Sequence, residues 1–172
     1  MGRKSGKTNK SIYLQSREDA GLTRFEASEK LGYISESRLE KLETGKTPAQ
    51  PEDITAMAEA YGRPDLCNYY CVHECAIGRD NVPEVKLKGL SQIVLVMLAS
   101  LNTLDKEKER LIEITADEVI DEDELTDFVY IQEQLEKIQL TVESLKLWIN
   151  RTIASGGIDK DKLEEVRKKI SG

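Results

Sequence analysis

Four side chains able to hold a soft metal ion lie within nine residues, as Cys67, Cys71, His73 and Cys75 of CNYYCVHEC. They are all the cysteines and the only histidine of the 172-residue chain. Thiolate and imidazole suit zinc or an iron–sulfur cluster. On a helix, Cys67 and Cys71 would share one face at i, i+4, with His73 and Cys75 beyond its end. The spacing C-x3-C-x-H-x-C departs from zinc fingers, which commonly pair their ligands as C-x2-C. Two readings stay open: a metal or redox site, or small apolar thiols buried between domains with His73 as a capping group. In a reducing cytosol the cysteines would be thiols or ligands, not a disulfide framework.

Little else suggests reaction chemistry. There is no glycine-rich phosphate loop, no paired-histidine metal motif and no setting for a nucleophile, and His73 has no evident catalytic partner. The acidic stretch ADEVIDEDEL offers Asp117, Ile120 and Glu124 at offsets like those of a calcium loop, but Glu118 stands where that loop needs glycine. It reads as a solvated helix junction, and the chain as a whole reads as no enzyme.

A second set of polar residues is arranged for binding. The sequence predicts a helix from about Ile12 to Ala20, closed by Gly21. Thr23 with Glu26 three residues on forms a capping box for a second helix, which runs to Leu31 before Gly32. Ser35 caps a third helix, with Leu39 and Leu42 inward at i, i+3 and Gly45 after its end. Pro51 suits the first turn of a fourth helix whose inner face is Ile54, Met57, Ala58 and Tyr61, and Pro64 opens a short fifth toward Cys71. Helices two and three, joined by a tight Gly-Tyr turn, outline a helix-turn-helix, whose second helix can enter the major groove of double-stranded DNA. Ser37, Arg38 and Lys41 then stand on the outer side of helix three as donors to bases or phosphates, beside its cap Ser35. Arg24 opens helix two where it can hold a phosphate, and Lys46 follows helix three on a glycine loop.

SREDAGLTRFEASEKLG followed by RLEKLETGKTPAQPEDITAMAEAYG resembles the Xre/Cro family of phage-repressor-like helix-turn-helix regulators. Arg17, Gly21, Leu22, Thr23, Glu43, Gly45 and Lys46 fall on that family's anchor positions, over roughly residues 12 to 66. The resemblance implies a sequence-specific DNA-binding transcriptional regulator that works as a homodimer. It also implies a structural ion pair between Arg17 and Glu43. The chain departs from the family pattern in three places: the stretch from Gly32 to Glu43 is one residue longer, Ala27-Ser28 replaces Leu-Ala, and Glu36 and Glu40 put carboxylates where DNA approaches.

Beyond Val82 the texture changes. Leu87, Leu90, Val94, Met97, Leu101 and Leu104 follow a 3-4 spacing, as do Phe128, Ile131, Leu135, Ile138, Val142, Leu145 and Ile149. These predict two long helices with heptad seams, forming an antiparallel hairpin whose first arm breaks near Asn102–Asp105, and a short last helix from Asp159 to Ile170. The expected architecture is all-α: a basic arm (1–10), a five-helix repressor-like helix-turn-helix domain (11–80) and a helical hairpin for oligomerisation or docking (83–172).

The net charge of −7 is unevenly spread. Residues 1–50 carry ten Lys/Arg against seven Asp/Glu, whereas residues 81–172 carry thirteen against nineteen. The positive end coincides with the helix-turn-helix, and the acidic remainder weakens sequence-independent attachment to phosphate. The longest apolar run, Ile93–Ala99, is too short to span a bilayer, and the N-terminus lacks a secretory core, so no membrane and a cytoplasmic location are expected. The alternatives to a plain regulator are a metal- or redox-responsive one acting through the cysteine cluster, and a protein-docking adaptor that keeps the fold without binding DNA.

Overall fold

A computed structural model describes residues 10–117 and 119–171, and these are helical with connecting turns. The helices are α1 (Ile12–Asp19), α2 (Arg24–Leu31), α3 (Glu36–Glu43), α4 (Pro51–Tyr61), α5 (Asp65–His73), α6 (Ala76–Asn81), α7 (Leu90–Ile114), α8 (Leu125–Ala154) and α9 (Lys160–Ser171). The protein is therefore all-α, with a helix-turn-helix near its start and long helices later. The expected basic arm lies outside the described residues except for Lys10, whose Nζ pairs with Glu18 at 2.6 Å.

The described residues form two compact units. One runs up to Glu84 and takes in those from Ile149 onward; the other is Val85–Trp148. The sequence assigns 83–172 to one hairpin domain, whereas the contacts divide that stretch after Trp148.

In the first unit, local chemistry fixes each helix end. Ser11 Oγ accepts from Leu14 N, Thr23 and Glu26 exchange both bonds of a capping box, and Ser35 Oγ accepts from Arg38 N. Each cap satisfies backbone donors that the first turn leaves unpaired, and its loss typically costs about 1 kcal/mol. Gly32 at φ 73° turns the chain sharply out of α2, a conformation that side chains with a Cβ rarely adopt. That turn drives Ile34 inward until it is 1% exposed. Ile34 joins Ala27, Leu39, Leu42, Ile54, Met57 and Leu66 in a single aliphatic core under α2 and α3. Burying a Leu or Ile side chain this fully contributes about 1.5–3 kcal/mol, so the core holds α2 and α3 as one rigid piece.

The sequence did not indicate α6. It is six residues long, and Cys75 begins it by accepting from Gly78 N through Sγ at 3.4 Å. A helix this short has no readable period.

In the second unit, α7 and the first part of α8 pair antiparallel. Ile93 and Val96, early in α7, line the same small cavity as Leu140, Thr141 and Ser144 of α8. Near the other end Arg110 Nε meets Asp127 Oδ2 at 2.7 Å. The facing stripes differ from the heptad seams read from sequence. Ile93, Ser100 and Ile114 are buried on α7, with Ile131, Gln134, Thr141, Ser144 and Leu147 on α8. Leu87, Leu90, Val94 and Leu101 of the first seam and Leu135 and Val142 of the second are exposed. The reason lies in α7, where residues 89–104 carry no charge on any side, so spacing alone does not select the inward stripe. Nor does α7 break near Asn102–Asp105; it is continuous to Ile114.

Candidate nucleic-acid interface

The helix-turn-helix is assembled on one carboxylate. Glu43, in the last turn of α3, has a side chain with no solvent exposure. Arg17 of α1 grips it from two nitrogens, Nε on Oε1 and Nη2 on Oε2, the latter at 3.1 Å. The third nitrogen of Arg17, Nη1, donates to the Leu22 carbonyl at 2.7 Å and so holds the loop between α1 and α2. Arg24, the first residue of α2, adds Nε to Glu43 Oε2 at 2.9 Å. Three helices and a loop therefore converge on a single buried anion. Desolvation works against the Arg17 charge, but the hydrogen bonds and charge of Glu43 outweigh it and leave the guanidinium pKa raised. Ser11 completes the joint by donating from Oγ to the Glu43 carbonyl at 2.7 Å.

The residues that sequence reasoning offered to DNA separate into two groups. Three have intramolecular duties. Ser35 is spent as the N-cap of α3. Arg38 reaches across to α4, where Nη2 meets Asp53 Oδ2 at 2.6 Å. Asp53 is itself buried and accepts from Gln50 N at the start of α4, so the pair locks α3 to α4. Arg24 is tied to Glu43, yet its side chain stays 37% exposed. It thus presents the rest of its guanidinium outward from a fixed base, an arrangement suited to a phosphate. The second group, Ser37, Lys41 and Lys46, is exposed. Glu36 and Glu40 share that outer side of α3.

Phe25, 61% exposed at the start of α2, and Tyr33, 60% exposed with its hydroxyl donating to the Glu52 carbonyl, are exposed aromatics of the helix-turn-helix that escaped the sequence reading. Phe25 lies two positions before the fully buried Ala27, which places it on the outer side of α2. That offset was the available signal.

The cysteine cluster is not drawn into one coordination set. Among the described residues no group of three or more His, Cys, Asp or Glu side chains is placed to hold a metal ion. Cys75 caps α6, while the His73 ring lies tilted against Tyr69, with centroids 4.5 Å apart, and its Nε2 is 3.8 Å from Glu84. Cys67 reaches the surface, yet burial around its sulfur, with Cys71 one turn away, pushes the thiol pKa up. At pH 8 we therefore expect Cys67 to react with iodoacetamide more slowly than free cysteine, its rate still rising above pH 9. A rate that saturates below pH 8 contradicts this environment.

The comparisons agree with the geometry. Residues 15–69 match a family model described as a helix-turn-helix domain, which covers α2 and α3 and most of the core beneath them. No curated protein and no solved structure gives a significant match. No helix among the described residues is long and apolar enough to cross a membrane.

Proposed function

We propose that this protein is a transcriptional regulator of the Xre/Cro type, which binds double-stranded DNA with α3 in the major groove. The carrying observation is the buried Arg17–Glu43–Arg24 joint, which fixes α2 against α3 while Ser37, Glu40 and Lys41 stay clear of the core. A helix that reads bases must be rigid on its inner side and unencumbered on its outer side. In this reading Lys41 contacts a base edge or phosphate, Arg24 and Lys46 hold phosphates, and Arg38 supports the helix through Asp53 rather than reading DNA.

The second unit supplies a homodimer contact. Its support is exposed apolar surface on α7, where Leu90, Val94, Leu98 and Leu101 are 38%, 38%, 52% and 43% exposed. Two hairpins packed through the outward faces would bury that apolar surface, and a two-fold dimer matches paired half-sites.

Footprinting of the purified full chain on its own genomic DNA tests the reading. Paired protected half-sites spaced by about one helical turn, 10–10.5 base pairs, or a multiple of it are expected. No protected sites, with the chain folded, would favour the docking adaptor.

A further inference from the structure

We infer that α3 selects half-sites containing G·C pairs, with Glu40 accepting a hydrogen bond from the 4-amino group of a cytosine and Lys41 donating to a guanine. The inference rests on the reading of α3 as the DNA-contacting helix and assigns its chemical preference.

Several polar groups of α3 are engaged within the fold. Arg38 is the one arginine of the helix, and arginine is the commonest reader of guanine. Here Nη2 of its guanidinium is held by Asp53 at 2.6 Å, which ties the side chain to α4 although 40% of it stays exposed, and removing it would leave that buried carboxylate without its cation. Ser35 is occupied as the cap, and the Thr44 hydroxyl donates back to the Glu40 carbonyl at 2.7 Å. Glu36, Ser37, Glu40 and Lys41 remain exposed on the outer side. Among the described residues, neither the Glu40 carboxylate nor the Lys41 ammonium is held in an ion pair.

Base chemistry then decides what such a face can read. An ionised carboxylate is acceptor-only. In the major groove the donors are the amino groups of cytosine and adenine, and the adenine amino group sits beside the N7 acceptor, which repels a carboxylate. Cytosine is thus the base that rewards Glu40. Lysine is donor-only and suits the O6 and N7 acceptors of guanine. Against guanine or thymine Glu40 meets acceptors, against adenine it meets a donor flanked by the N7 acceptor, and near any phosphate it is repelled. The carboxylate therefore raises discrimination by weakening the wrong complexes, in keeping with a chain of net charge −7 that attaches poorly to phosphate in general.

Selection of bound duplexes from a randomised library by the full chain, beside Glu40→Ala and Glu40→Gln, tests the inference. Both variants are exposed helix substitutions, and thermal melting confirms that they fold. The wild-type chain should enrich cytosine at one position of each half-site, with replacement of that base weakening binding roughly tenfold to a hundredfold. Glu40→Ala should flatten that position without lowering affinity for random duplex, and Glu40→Gln should shift it toward adenine. An unchanged cytosine preference in Glu40→Ala overturns the assignment while leaving DNA binding intact. Selection of no duplex by the wild-type chain removes the DNA reading itself, and this assignment with it.

Discussion

Glu43→Ala is expected to destabilise the first unit by about 3–5 kcal/mol, because it leaves the Arg17 guanidinium buried without its anion. For a unit of this size that corresponds to a fall in melting temperature on the order of 10–20 °C or more. The buried location sets the magnitude, since an exposed pair would be worth no more than about 1 kcal/mol. Two companion variants separate the charge from the packing. Arg24→Ala, whose side chain is 37% exposed, should cost less than about 1 kcal/mol, since Arg17 still neutralises Glu43. The double change Arg17→Met with Glu43→Leu should recover much of the loss, because an apolar pair of similar volume leaves no orphaned charge. Thermal denaturation by circular dichroism checks all three. A Glu43→Ala protein melting within 3 °C of wild type would show that the joint does not organise the unit.

The second large effect is expected in the other unit. Val94 and Leu101 lie on the outward side of α7, one heptad apart, and are 38% and 43% exposed. Val94→Glu with Leu101→Glu places two carboxylates on the face proposed to meet a second copy. Light scattering should report a single 19.4 kDa chain in place of a dimer. Affinity for a two-half-site duplex should fall on the order of 10²-fold, because the second half-site no longer benefits from being tethered to the first. Helix content should hold, since neither side chain is packed inside its own hairpin. A dimer that survives the double substitution assigns self-association to another surface.

What the sequence makes legible depends on how local the physics is. The caps at Thr23 and Ser35, the turn at Gly32 and the proline opening α4 act within a few residues of chain, and each can be read directly. The Arg17–Glu43 pair bridges 26 residues, and only the family resemblance points to it. Arg38 shows the limit more sharply. Its position on α3 makes it a natural base reader, and nothing local reveals that Asp53, fifteen residues on, holds it. Arg24 likewise looks like a simple phosphate contact until Glu43 is seen beside it. In α7 the failure is of another kind. The uncharged first part of that helix carries several apolar stripes, and its own spacing does not say that Ile93 is the residue that turns inward. Cys67, Cys71, His73 and Cys75 are adjacent in sequence yet serve different local contacts, because α5 ends at His73 and the chain reverses into α6.

The central claim is that α3 reads DNA, and the salt dependence of binding tests it most directly. Affinity of the full chain for a footprinted duplex, measured between about 50 and 200 mM salt, should fall with a log–log slope near −0.9 for each phosphate neutralised. Lys41→Ala should weaken binding in the same titration while the melting temperature holds. A flat slope, or an affinity indifferent to Lys41, would contradict the account.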